Sequence, residues 1–408
     1  MSPAVWERSR LKYVADCNRH VLSESTSDDH TFKYVDISAV GQGTMDIPDD
    51  TTRFGDAPSR ARRLAEPGDT VISTVRTYLR AVATVPETDE KLVFSTGFAV
   101  LHPRADVSRR FLAYVLQGDE FVDKVVANSV GVSYPAITAT DLMSLDLLLP
   151  HVDEQRAIAD YLDHETAQID ALVAKQGEFI GLLRERRDTV VRLAITERTG
   201  EFPVDKLGRS AKVGNGSTPR RDVDRYWRDG DVPWLTSAAV NLPEVTTADQ
   251  LVTDAAVREC HLPMVEPGDL LIGLIGQGPT RGMATISRVR ATLSQNLAYI
   301  APDQSKWKSE YLLWALRASY REIRQKGAES GAAQGMLNTD DIRRIRVAMP
   351  LISEQSRIVS RLDDETSRID ALIAKAEEHI ALARERRSAL ITAAVTGQID
   401  VRTARKAS

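Results

Sequence analysis

The sequence predicts a duplicated fold: two mixed strand-and-helix domains, each followed by one long helix, with the two helices paired antiparallel. Three observations predict it. A segment from Pro150 to Thr196 returns from Pro350 to Thr396, an offset of 200 positions. Each copy carries mostly apolar residues alternately four and three apart over several heptads, the spacing of a helix–helix seam. The same offset also aligns landmarks in the regions that precede the two segments, so the duplication includes whole domains.

Between the long segments the matches are Glu154-Gln155 with Glu354-Gln355, Leu162-Asp163 with Leu362-Asp363 and Glu165-Thr166 with Glu365-Thr366. They continue at Ile169-Asp170-Ala171-Leu172 with Ile369-Asp370-Ala371-Leu372, and at Arg184–Arg187 with Arg384–Arg387. The seam expected from spacing is Ile158, Leu162, Ile169, Leu172, Phe179 and Leu183 in the first copy. In the second it is Ile358, Leu362, Ile369 and Leu372, with small residues later that suit the bulk of Phe179 and Leu183. Pro150 and Pro350 mark the starts, and Gly200 and Gly397 lie past the ends, where a left-handed cap forms readily. About 40 helical residues span roughly 60 Å. An ordinary pair of core helices is the alternative reading of the same stripe.

The preceding regions are more diverged. Residues 1–30 read as a lead-in with a helical segment around Leu11–Cys17. Strands are expected at Lys33–Ile37, Thr70–Ser73, Ala81–Val85 and Phe98–Leu101, and a helical region over Arg109–Ala127. Glu66-Pro67-Gly68-Asp69 falls on Glu266-Pro267-Gly268-Asp269, Lys33-Tyr34-Val35 on Pro233-Trp234-Leu235, and Phe111-Leu112 on Tyr311-Leu312. The expected organisation is a first domain at 1–149, a helix at 150–199, a second domain at 200–349, and a helix with a tail at 350–408. A domain inserted between two helices brings its ends together, which makes the helices antiparallel.

Composition excludes several classes. With 42% hydrophobic and 27% charged residues the chain reads as globular. It has no run of about 18 apolar residues and no apolar leader after Met1, and contains only Cys17 and Cys260. The expectation is a cytoplasmic protein with no membrane contact and no Cys-rich zinc site. A net charge of −5 argues against nucleic acid only on average, because binding depends on local patches. No Gly-x-x-x-x-Gly-Lys-Ser/Thr loop, no Asp/Asn-Pro-Pro-aromatic tetrapeptide and no His cluster at ligand spacing occurs. No catalytic residue and no metal site is expected. Pro48-Asp49 with Asp89-Glu90-Lys91 is a loose nuclease-like match of a kind common in chains this long.

Two related modules on a rigid spacer suit double-stranded DNA, whose half-sites recur about every 34 Å along one face. Base contacts specify and phosphate contacts position, so diverged surfaces would read different half-sites. In the second domain the candidates are Ser217, Thr218, Arg220, Arg221, Gln277, Thr280, Arg281, Gln295 and Asn296. Gln and Arg are types that pair bidentately with base edges, while hydroxyls and Arg suit phosphates. In the first domain they are Arg76, Tyr78, Arg80 and Tyr134, with the arginines at 60–63 nearby. For any one of these arginines the alternative is a solvated surface charge, and for the aromatics a place in the core.

Pro-x-x-x-Glu-Gln-x-x-Ile, Leu-Asp-x-Glu-Thr-x-x-Ile-Asp-Ala-Leu and Leu-x-Arg-Glu-Arg-Arg occur twice, and together resemble the specificity subunit of type I restriction–modification enzymes. Gly216-Ser217-Thr218-Pro219, Tyr226-Trp227, Pro233-Trp234-Leu235-Thr236 and Pro267-Gly268-Asp269 look like the same family. The likeness covers essentially the whole chain. It implies two α/β target recognition domains separated by an antiparallel coiled coil. It implies a non-catalytic subunit that reads an asymmetric bipartite DNA target. The implied partners are two modification subunits, which bind S-adenosylmethionine and methylate adenine, and restriction subunits that use ATP and Mg. This chain would hold no cofactor itself. A modification-only or type IIB-like system would use a similar chain, and a coiled-coil adaptor without DNA selectivity is the structural alternative. The first domain departs from the family pattern, with Val35-Asp36-Ile37 against Leu235-Thr236-Ser237 and no Gly-Ser-Thr-Pro turn.

Overall fold

The computed structural model describes residues 6–196, 202–276, 278–328 and 335–401. The chain divides into two compact units, Met1–Gly177 with Glu377–Ser408, and Glu178–Ala376. The division cuts both long helices, Val152–Thr196 and Ile352–Val395. Each unit is therefore one domain, the first half of the helix that follows it, and the second half of the other helix.

In the first unit, Ala15–Cys17, Phe98–Pro103, Thr70–Ser73 and Val82–Thr84 form an antiparallel sheet in that order. Leu92–Ser95 centres a second, mixed sheet with Thr31–Val35 and Ala61–Leu64. In the second unit, Ala211–Asn215, Leu297–Pro302, Leu270–Gly273 and Ala284–Ser287 repeat the first arrangement. The Pro-Gly-Asp turns explain the shared strand starts. Asp69 and Asp269 each accept a hydrogen bond from the backbone N–H three residues back, at Glu66 and Glu266, 2.9 Å in both. Gly68 and Gly268 take the positive φ that such a turn needs.

The expected helix at Arg109–Ala127 is two helices, Arg109–Gln117 and Asp119–Ala127. Gly118 breaks them by adopting extended geometry. Similarly, the helix expected over Leu11–Cys17 stops at Val14, where the chain enters the strand Ala15–Cys17. Gly200 lies outside the described residues, whereas Gly397 has φ +73° and caps the second long helix, with Gln398 N–H donating back to Ala393 at 2.9 Å.

The long helices pack onto their domains through the repeated residues. Gln155 is buried; it accepts from Ser108 N–H at 2.9 Å and donates to Pro150 carbonyl at 2.8 Å. Gln355 accepts from Lys308 N–H at 2.8 Å and donates to the Lys306 and Pro350 carbonyls at 2.7 and 2.9 Å. About two turns further along each long helix, Tyr114 donates to Asp163 at 2.8 Å and Trp314 to Asp363 at 3.0 Å. Burial pushes the Tyr114 hydroxyl up to about 12, so it remains a donor.

Within each unit the two helix halves run antiparallel. In the first, Arg387 pairs with Asp170 at 3.0 Å, while Ile158 and Leu162 share a core with Ile391, Ala394 and Val395. In the second, Arg187 pairs with Asp370 at 2.9 Å, while Val191 and Ile195 share a core with Ile358 and Leu362. The seam differs from the expected one at three of the ten residues named for it. Ile158, Leu162, Ile169, Leu183, Ile358, Leu362 and Ile369 are buried, but Leu172, Phe179 and Leu372 are 49%, 43% and 47% exposed. The inward stripe passes instead through Thr166, Val173 and Ile180, and through Thr366 and Ile373, while Ala376 is buried as its spacing predicts. Spacing alternating four and three fits either phase. The phase is decided by the domain, because the Gln155, Asp163, Gln355 and Asp363 contacts fix how each helix is rotated. Thr166 and Thr366 fit the buried stripe because each hydroxyl donates to the carbonyl four residues back, at 2.7 Å.

Candidate nucleic-acid interface

The second unit gathers part of its candidate set at one place. Gly216 lies so close to Leu293 that a Cβ would stand 1.9 Å from its carbonyl oxygen. That approach brings the Ser217-Thr218 segment beside Gln295, and the Thr218 hydroxyl donates to the Gln295 side-chain oxygen. Trp234 donates to the Ser217 carbonyl at 3.2 Å and meets Trp227 edge-on, ring centres 5.2 Å apart. Arg221 lies over both rings, 3.9 Å from Trp227 and 5.0 Å from Trp234. Aromatic faces hold the guanidinium through its charge while leaving its edge donors open. Ser217, Thr218, Arg221, Gln295 and the half-buried Asn296 thus form one polar patch backed by two tryptophans.

Other candidates of this unit lie elsewhere. Arg220 turns onto Asp222 at 2.6 Å. Arg281 is only 8% exposed. Thr280 is half-buried in a loop pinned by Tyr320, whose hydroxyl donates to the Pro279 carbonyl at 2.8 Å. Gln277 lies outside the described residues. An open groove of about 730 Å³ is lined by five arginines, among them Arg187, Arg317 and Arg321, together with Glu185 and Asp188. Burial, with Arg187 nearby, holds the Arg317 guanidinium below its usual range.

The first unit presents its candidates differently. Arg76 and Arg80 flank the 3-10 turn Thr77–Leu79, both with left-handed backbone. Arg76 and Tyr78 are exposed, and Arg76 lies 5.1 Å from the centre of the exposed Tyr134 ring. Arg80 instead bridges Asp119 at 2.6 Å and Asp123 at 2.9 Å, so its charge is partly matched by two carboxylates at the surface. Asp119 is partly buried, which would raise its carboxyl. Hydrogen bonds from Ser388 and Gln42 and the Arg80 charge overcome this and hold it below the usual range. In the arginine cluster at 60–63, Arg60 pairs with Asp36 at 2.8 Å and Arg62 covers the Phe54 ring.

Sequence reasoning missed the Arg221–tryptophan platform, although Tyr226-Trp227 beside several arginines was its visible signal. It also missed the apolar exposure beside Tyr134. Among the described residues no group of three or more His, Cys, Asp or Glu is placed to hold a metal ion. Nor is any described helix long and apolar enough to cross a membrane.

Known proteins bear on this pair of domains. The family model of the type I restriction modification DNA specificity domain matches residues 3–176 and again 201–381. The chain belongs to this family. Among specificity subunits, it is 23% identical to the putative type I restriction enzyme MjaX subunit of Methanocaldococcus jannaschii, over 98% of this chain and 95% of that one. It is 30% identical to the EcoDI subunit of Escherichia coli, over 49% of this chain and 40% of that one. Matches to the MjaIX and EcoR124I/EcoR124II specificity subunits span 37% and 51% of those proteins. A solved chain from a study of complex assembly and conformational transition of the type I R-M system superposes with a TM-score of 0.70. It shares 23% identity, with 96% of this chain and 98% of that one covered. The HsdS subunit from Thermoanaerobacter tengcongensis gives 0.52 at 22% identity, with 97% and 98% covered. Specificity-domain fold and duplication therefore go together in this chain.

Proposed function

We propose that this chain is the non-catalytic DNA-recognition subunit of a type I restriction–modification complex. Each domain reads one half of an asymmetric bipartite target, and the helix pair sets the unread spacing between the halves. The observation that carries this reading is the pairing of sameness and difference. The two family-matched regions hold their helices through equivalent contacts, yet expose unlike chemistry: a Thr218–Arg221–Gln295 patch in one and Arg76, Tyr78 and Tyr134 in the other. Unlike surfaces on like scaffolds suit two different half-sites.

The partners are two modification subunits that methylate adenine with S-adenosylmethionine, and restriction subunits that use ATP and Mg. Exposed apolar residues on the helix pair support docking of the former. Leu172 and Leu382 are exposed in the first unit, and Phe179, Leu182 and Leu372 in the second. Side chains of this size left in water at matched places favour coverage by another protein.

A methylated-adenine map of the host genome, with and without this gene, tests the reading. Loss of methylation at one bipartite motif supports it, and an unchanged map with expressed modification subunits overturns it. Exchange of one domain should change one half-site only. Removal of one turn from both helices should change the spacer and neither half-site.

A further inference from the structure

We infer that the loop Val130–Ala136 of the first domain is an apolar wedge that enters the DNA base stack within its half-site. The inference rests on the function proposed above. The stem of the loop is fixed. Val130 and Ala136 exchange two backbone hydrogen bonds, at 2.8 and 3.0 Å, and Ile137 N–H donates to Thr74 carbonyl at 2.9 Å. Below the stem, Thr77 donates to Ser129 at 2.8 Å, and Ser129 donates to the Val125 carbonyl at 2.7 Å. At the turn, Gly131 has φ +119°, a conformation that side chains resist.

The tip of this braced loop is apolar and in water. Val132 is 102% exposed, Val130 81% and Tyr134 66%, with Tyr78 and Leu79 also exposed beside them. A protrusion of valine and tyrosine gains nothing for the fold by facing solvent, since each such side chain forgoes the burial that favours apolar groups. It gains when something covers it.

Charge selects the occupant. Arg76 lies against Tyr134, which places a cation at the flank of the apolar tip. An apolar point with a guanidinium at its side matches a nucleic-acid groove, with stacked bases at the centre and phosphates at the rim. The loop is one hairpin wide, and the major groove, about 12 Å across, admits a two-stranded ribbon. Methylation of an adenine further requires that the base leave the stack. A side chain that occupies an opened step lowers the cost of that extrusion.

The test uses the full chain with its modification subunits and duplexes bearing the mapped motif, with 2-aminopurine placed in turn at each position of the first half-site. Binding of the unaltered complex should raise fluorescence several-fold at one step. Val132→Ser should abolish that rise and weaken binding about tenfold, with protection of the second half-site unchanged. Arg76→Gln should weaken binding and reduce the salt slope by about one. The tip is solvent-exposed, so unchanged thermal unfolding confirms that the variants fold. A rise that persists in Val132→Ser, or stacked bases throughout the bound half-site, overturns the wedge. So does a change in self-association on Val132→Ser, which assigns the tip to a second copy. If the motif is bound and methylated but Val132→Ser leaves the fluorescence rise unchanged, only the wedge fails. If no motif is bound or methylated at all, the recognition reading fails as well.

Discussion

The two units differ least where a helix meets its domain and most where a domain meets solvent. Gln155 and Gln355, Tyr114–Asp163 and Trp314–Asp363, Asp170–Arg387 and Asp370–Arg187 occupy matching places. In contrast, Asp119 with its Ser388 and Arg80 partners has only Ser319 as its counterpart, and the solvent-facing features differ, an exposed Val132 tip in the first unit and the Arg221–tryptophan platform in the second. A buried polar contact must be satisfied in both copies, so its chemistry is retained; an exposed surface carries no such requirement and is free to specialise.

This equivalence can be broken experimentally. Leu162→Ala and Leu362→Ala, both fully buried, should each cost about 2–5 kcal/mol in urea denaturation, with closely similar losses. A large inequality would show that the two seams are not energetically alike. Gln355→Ala should destabilise more than Gln155→Ala, because it strands three hydrogen-bonding groups rather than two, each worth about 1–3 kcal/mol when left unpaired. Equal losses would assign the extra Lys306 contact no energetic role.

Acid should separate Asp119 from its counterpart Ser319 next. Asp119 has a depressed folded pKa, so its contribution is present above the unfolded value of about 4 and is lost as pH falls below it. Hydrogen exchange of the first unit should therefore rise below pH 4, and Asp119→Asn should flatten that dependence. Ser319 has no carboxyl to titrate, so Ser319→Ala in the second unit should leave its acid dependence unchanged. The smallest effect is expected at the helix ion pairs. Asp170→Asn and Asp370→Asn should each cost under about 1 kcal/mol and less at high salt, because more than half of each carboxylate side chain is exposed.

The duplication, the ends of the long helices to within two residues and the shared turn at Pro67-Gly68-Asp69 and Pro267-Gly268-Asp269 were legible in the sequence, because they depend on local periodicity and local hydrogen bonding. The helix phase was not. Leu172 and Phe179 are better seam residues by size than Thr166 and Val173, and spacing admits both stripes. Contacts from another part of the chain, at Ser108, Tyr114, Lys308 and Trp314, choose between them. The candidate sites divide the same way. Residue type pointed to Arg80, Arg220 and Arg281; in the fold the first two pair with aspartates, Arg220 while strongly exposed, and the third is buried. The sequence by itself determined what repeats, since repetition is a property of order along the chain. Only the tertiary structure decided which side chains remain available, because burial and ion pairing are set by neighbours that are distant in sequence.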